Sequence, residues 1–159
     1  MNSSAVALKE TVESVVESHR GQVGALLPVL HAVQDCFGHV PKEAVPMIAQ
    51  AMNLSRAEVH GVMSFYHDFR SEPAGAHILQ LCRAEACQSM GARELERHAF
   101  ERLGIGYGET TANGLFTLLP VYCLGNCACA PSLRINDDIH ARVSAARFDE
   151  LIAHLEAGD

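Results

Sequence analysis

The sequence predicts an α+β, or α/β, protein in two parts: a helical bundle segment over residues 1–71 and a small mixed-sheet domain over residues 72–159. Three observations carry this. Apolar residues recur at helical spacing up to about residue 70 with little strand signal; Ser71-Glu72-Pro73-Ala74-Gly75 then breaks the periodicity; beyond it, short β-like runs alternate with helical ones.

In the first part, Val12, Val15, Val16 and His19 make one face of a helix that Gly21 ends. A second helix runs from Leu27 to Phe37, with Pro28 tolerated in its first turn and Gly38 placed to stop it. A third spans Lys42 to Met52, with Pro46 delaying its start or bending it. The fourth has the best-defined start. Ser55 and Glu58 form a capping box and Leu54 is placed to staple against Val59, which predicts a helix from Arg56 to about His67.

In the second part, His77–Leu81 reads as a strand, Gln88–Leu103 as a helix, Leu115–Tyr122 as a second strand and Ser132–Ile135 as a third. Ile139–Val143 is placed to pair with the third strand across Asn136-Asp137-Asp138, and Ala145–Leu155 is an amphipathic last helix. The order β, α, β, β, α predicts a small mixed sheet with helices packed on it.

With 48% hydrophobic residues, 159 residues suffice for a real core. Twelve basic against nineteen acidic residues give a net charge of -7, which argues against a nucleic-acid partner. Lys9, Glu10 and Glu13 interrupt the N-terminal apolar run, which therefore reads as an amphipathic helix and not an export signal, and no stretch approaches the length that spans a bilayer. A cytoplasmic protein without membrane insertion is the expectation. In that reducing compartment, the closely spaced ones among the six cysteines are expected to bind metal or do redox work in preference to forming structural disulfides.

Four of them form two tight pairs, Cys82-Arg83-Ala84-Glu85-Ala86-Cys87 and Cys123-Leu124-Gly125-Asn126-Cys127. Each pair lies where a predicted strand ends, so two loops leaving neighbouring strands at one sheet edge would bring four sulfurs together. That suits an iron–sulfur cluster. Cys87 lies near a helix start, whose free N–H groups favour an anion. Gly125 lets the second loop bend, and Met90, Leu124 and Pro131 are candidates for excluding water. A [2Fe–2S] cluster with its four thiolates carries about -2 oxidised and about -3 reduced, a charge the protein must offset locally.

Structural zinc is the alternative for four thiolates, although its pairs are usually spaced by two. A disulfide catalyst needs a Cys-x-x-Cys, which is missing from the sequence. Cys36, inside an apolar helix, is expected to be a buried small hydrophobe, while Cys129 falls close to the second pair without an evident role. The nine histidines show no His-x-x-x-His pair on one helical face and read as surface or hydrogen-bonded residues. The aromatic run Phe65-Tyr66-His67-Asp68-Phe69-Arg70 reads equally as core packing or as a docking surface. Ala49 to Val59 has the rhythm of a helix-turn-helix, so an iron–sulfur transcriptional regulator is a distant alternative; one arginine and no lysine over Arg56–His67 argue against it.

On Leu26-Leu27-Pro28-Val29-Leu30-His31, Leu54-Ser55-Arg56-Ala57-Glu58-Val59, Phe65-Tyr66 and the two cysteine loops, nearly the whole chain resembles the thioredoxin-like [2Fe–2S] subunit family. Members are small partners of NADH-linked flavoproteins in respiratory complex I, NAD-coupled hydrogenases and NAD-dependent formate dehydrogenases. The resemblance implies a thioredoxin-like fold for the second domain and one [2Fe–2S] cluster with its ligands at Cys82, Cys87, Cys123 and Cys127. It implies a non-catalytic electron-transfer subunit of an oxidoreductase, its cluster beside a flavin and able to store one electron of a hydride pair. FMN and NAD are then expected on a flavoprotein subunit, and molybdenum cofactor and further clusters on a larger catalytic subunit. Within the family, Cys82-Arg83-Ala84-Glu85-Ala86-Cys87-Gln88 and His67-Asp68-Phe69-Arg70 look most like the gamma subunit of molybdenum-containing formate dehydrogenase; complex I and hydrogenase are the alternatives. Cys129 departs from the common pattern.

Overall fold

The computed structural model describes residues 3–158. Its helices begin with α1 (Ser3–Ser18), α2 (Leu26–Phe37), α3 (Ala44–Ala51) and α4 (Arg56–Phe65). Pro28 and Pro46 each stand third in their helices, where a backbone N–H has no intrahelical carbonyl to reach. Pro46 thus falls in the first turn of α3, which starts at Ala44. α2 ends at Gly38, whose N–H donates to Gln34 O at 2.7 Å.

The capping box of α4 is complete: Glu58 N–H donates to Ser55 Oγ at 3.2 Å and Ser55 N–H to Glu58 Oε2 at 2.8 Å. The helix stops at Phe65, short of His67, because the following backbone is claimed by a buried side chain. Gln34 Nε2 donates to Asp68 O at 2.9 Å and Gln34 Oε1 accepts from Arg70 N–H at 2.8 Å. That turn drops Phe69 into a core with Leu30, Val33, Ile48 and Val59, and leaves Phe65 and Tyr66 exposed. The aromatic run is therefore split between packing and surface. Cys36 is exposed, contrary to expectation: the inward stripe of α2 runs through Val29, Leu30, Val33 and Gln34, and Cys36 lies outside it.

The chain divides into two compact units, Met1–Pro73 and Ala74–Asp159. The second holds a four-stranded sheet of β1 (His77–Cys82), β2 (Phe116–Val121), β3 (Leu133–Ile135) and β4 (Asp138–His140), in the order β2-β1-β3-β4. β1 and β2 are parallel; β3 is antiparallel to both β1 and β4. Gly75 lies so close to β2 that a Cβ there would come within 2.9 Å of the Phe116 carbonyl carbon.

The predicted helix from Gln88 to Leu103 is two helices, α5 (Glu85–Ser89) and α6 (Ala92–Leu103). Gly91, at φ 95°, adopts the left-handed conformation that separates them. β3 and β4 join through Asn136-Asp137 alone, with Ile135 opposite Asp138 and Asn136 at φ 52°. β4 ends at His140, earlier than expected, because Val143 turns into the core beside Phe148. These flank the Ser144 cap of the last helix, α7 (Ala145–Glu156), as a hydrophobic staple. Leu79 and Leu81 of β1, Leu118 of β2, Leu95 of α6 and Ile152 of α7 complete this core. Among the described residues no helix is long and apolar enough to cross a membrane.

Candidate metal centre

Cys82 ends β1, and Cys123 lies two residues past the end of β2. The parallel register sets Cys82 opposite Val121, so both cysteines leave the same end of the sheet. The ladder continues one step further, Arg83 N–H donating to Val121 O at 2.7 Å, while Cys82 N–H donates to Ser132 O at 3.1 Å on the other flank. The backbone at Cys82 is thereby held from both sides. Cys87 sits in the first turn of α5. Its loop is braced by Gln88, which donates to Arg83 O at 2.6 Å and accepts from Arg93 at 2.9 and 3.1 Å.

The second pair occupies a tighter loop. Cys123 has φ 132°, a sparsely populated value for a residue with a side chain, and Gly125 has φ 75°. This geometry points the Gly125 N–H at Cys123 Sγ, 3.4 Å away, and sets Cys123 Sγ 3.6 Å from Cys127 Sγ. Asn126 Nδ2 donates to Ser132 Oγ at 3.2 Å, tying the loop to the approach of β3. Cys127 opens the 3₁₀ turn Cys127–Cys129.

The two pairs differ in environment. Cys82 and Cys87 are buried with Ala92 and Ala130, and Leu124 packs on them; Cys123 and Cys127 are exposed. Burial pushes the Cys87 thiol up, and its contact with Cys82 adds to that, against a smaller opposing pull from the Ser132 backbone. Cys123 is held below the usual thiol range, chiefly by the Gly125 N–H and then by Cys127, whereas Cys127 is raised by Cys123. Both pairs lie at the end of the sheet where β1 and β2 finish, the first on the loop after β1 and the second on the loop after β2.

The Cys123–Cys127 separation fits two thiolates on one metal. Two ligands at tetrahedral angles on one metal with bonds of about 2.3 Å lie about 3.8 Å apart, close to the Cys123–Cys127 separation and far from a disulfide bond. Among the described residues no group of three or more His, Cys, Asp or Glu side chains is arranged to hold a single metal ion. A [2Fe–2S] cluster asks for two thiolates on each iron, the remaining positions being sulfide, so two pairs are the unit that matters.

Cys129 is half-buried, and its backbone is engaged: its N–H donates to Asn126 O at 3.0 Å and its carbonyl accepts from Arg142 N–H at 2.8 Å. Of the residues expected to exclude water, Leu124 packs on the buried pair, but Met90 is exposed. Met90 and Pro131 line an open cleft with Cys127 and Arg142. Histidines make ordinary contacts: His19 Nδ1 is 2.8 Å from Val15 O, His98 Nε2 is 2.8 Å from Asp149, and the His31 ring lies tilted against Phe69, centres 4.8 Å apart. Two features carry no local sequence signal. One is the strained φ of Cys123; the other is the pairing of Arg83 with Glu96, which bridges separate elements.

The profile of the family described as thioredoxin-like [2Fe-2S] ferredoxin matches residues 12–156. An NADH-quinone oxidoreductase subunit of Rhizobium meliloti (strain 1021) is 35% identical over 154 residues, covering 97% of this chain and 92% of the relative. An NADH-quinone oxidoreductase subunit of Pseudomonas aeruginosa is 38% identical over 149 residues (94% and 88%), and one of Thermus thermophilus is 40% identical over 139 residues (87% and 77%). Among solved structures, the air-oxidised NAD+-reducing [NiFe]-hydrogenase superposes with a TM-score of 0.72 at 26% identity, over 84% of this chain and 23% of that one. With a profile match over most of its length and relatives of this identity spanning nearly all of it, the chain belongs to the thioredoxin-like [2Fe-2S] ferredoxin family, whose members carry one [2Fe–2S] cluster.

Proposed function

We propose that this chain is an electron-transfer subunit without a substrate site of its own, in which Cys82, Cys87, Cys123 and Cys127 hold one [2Fe–2S] cluster beside an FMN- and NAD-binding flavoprotein subunit. The observation that carries the reading is the parallel β1–β2 register, which sends the loops bearing both cysteine pairs out of the same end of the sheet. When bound, such a cluster takes up and returns one electron at a time. The chain's residues set the conditions for that. Cys82 and Cys87 sit away from water, the Gly125 N–H stabilises negative charge on the Cys123 sulfur, and exposed Cys123 and Cys127 leave one edge accessible to a partner. In the helical unit, exposed Phe65 and Tyr66 border an apolar cleft with Leu26, Leu54 and Val62, a surface suited to the flavoprotein.

For the parent assembly we infer a cytoplasmic, molybdenum-containing, NAD-dependent formate dehydrogenase. The likeness of Cys82–Gln88 and His67–Arg70 to its gamma subunit supports this. FMN and NAD then belong to the flavoprotein, and molybdenum cofactor and further clusters to a larger catalytic subunit. A second reading, the equivalent subunit of complex I or of an NAD-coupled hydrogenase, is favoured by the relatives at 35 to 40% identity and the hydrogenase superposition. Purifying the native assembly and assaying NAD+ reduction by formate and by hydrogen, and NADH oxidation by quinone, separates them. Formate-dependent NAD+ reduction is expected; reduction by hydrogen alone, or quinone activity without formate activity, overturns the assignment.

A further inference from the structure

Arg83 directly follows Cys82, and its backbone N–H closes the ladder to Val121 at the sheet end where the cysteines emerge. Its side chain is fixed from several directions. Arg83 Nε lies 2.8 Å from Glu96 Oε2, and the guanidinium carbon sits 5.3 Å from the centre of the Tyr107 ring. Tyr107 Oη donates to the same Glu96 oxygen at 2.9 Å. The pair is also sheltered: the Arg83 and Glu96 side chains are 38% and 21% exposed, whereas pairs such as Arg147–Glu150 stand in open water. A guanidinium held in this way is a fixed charge, not a mobile surface arm.

We propose that Arg83 is a positioning residue whose held positive charge raises the reduction potential of the site, and that Glu96 both fixes that charge and moderates it. This rests on the reading that the four cysteines hold the cluster. One-electron reduction adds a unit of negative charge at the end of β1, and a fixed cation carried by the residue that follows Cys82 stabilises the reduced form more than the oxidised one. Partial burial of the pair limits screening by salt. Neutralising Arg83 removes that stabilisation, while neutralising Glu96 leaves the cation uncompensated. The two changes therefore push the potential in opposite directions, a pattern that a purely structural brace does not produce.

The test is a redox titration of the full-length, cluster-loaded chain, followed by visible absorption and low-temperature EPR, for the wild type and for Arg83→Gln, Arg83→Lys and Glu96→Gln. Iron and sulfide per chain are measured first, so that failure to hold the cluster is scored against the cysteine reading and not against this one. The expected result is a more negative potential for Arg83→Gln, a value near wild type for Arg83→Lys, and a more positive one for Glu96→Gln. Shifts of the same sign in Arg83→Gln and Glu96→Gln, or equal shifts in Arg83→Gln and Arg83→Lys, overturn the proposal. If Arg83→Gln fails to fold, Glu96→Gln decides: a potential that does not rise rejects the role given to the pair.

Discussion

Cys82 stands opposite Val121 in the parallel β1–β2 ladder, and that pairing determines where the sulfurs of both loops emerge. A slip of one residue would send Cys82 to the other face of the sheet. The register is held by the side chains beneath it, Leu79 and Leu81 against Leu118 and Leu133. The core of the second unit thus fixes where the proposed ligands emerge.

Replacing fully buried Leu79 with Ala should therefore affect both properties at once. Denaturant unfolding is expected to show a loss of about 2–5 kcal/mol, with bound iron released at the same denaturant concentration that melts the fold. Iron retained after the sheet has unfolded would contradict the link between register and site.

Gly125 combines a left-handed backbone with an N–H aimed at Cys123 Sγ. Gly125→Ala is expected to lower the melting temperature by an amount corresponding to about 1 kcal/mol, and to speed loss of the cluster's visible absorption on dilution or chelation. An unchanged rate of loss would show that the loop tolerates a side chain here.

Cys129 and Cys36 provide a contrast. The hydrogen bonds Cys129 makes come from its backbone, and Cys36 is an exposed residue of α2; the proposed ligand set uses neither thiol. Cys129→Ala and Cys36→Ala should both keep wild-type iron and sulfide content. A chain that loses iron on removal of the Cys129 thiol would move the fourth ligand away from Cys127.

Much of this was legible in the sequence because its signals are local. Ser55 and Glu58 announce α4, and Asn136-Asp137-Asp138 announces a hairpin whose turn proves one residue shorter, Asp138 pairing with Ile135. The spacing of each cysteine pair, together with the runs before Cys82 and Cys123, marks two loops at strand ends. What was not legible depends on residues far apart. Gln34 ends α4 early by taking the Asp68 and Arg70 backbone, thirty-odd positions away. Val143 leaves its strand to meet Phe148 and the sheet core. Gly91 was readable in principle as a break, but the helical pattern on either side outweighed it. Arg83 and Glu96 are ordinary surface residues by type, and only the packing of α6 against β1 makes them a pair.

The capping box gives the helical unit a pH dependence of defined sign. Hydrogen bonds from the Ser55 N–H and then its hydroxyl hold Glu58 below the usual carboxylate range. A lowered folded-state value means the contribution is fully present above the unfolded value of about 4.3, and is lost as pH falls through the folded value. Thermal melts by circular dichroism should show Glu58→Gln less stable than wild type at neutral pH, with the gap closing below about pH 4. A gap that widens in acid would contradict the capping assignment.

The central claim is that two cysteine pairs hold one [2Fe–2S] cluster. It is tested most directly by iron and sulfide analysis with low-temperature EPR of the dithionite-reduced, full-length chain, for the wild type and for Cys123→Ser. About two irons and two sulfides per wild-type chain are predicted, with a single S = 1/2 signal that is shifted or abolished in Cys123→Ser. An unchanged signal in Cys123→Ser, or zinc in place of iron in the purified wild type, would contradict it.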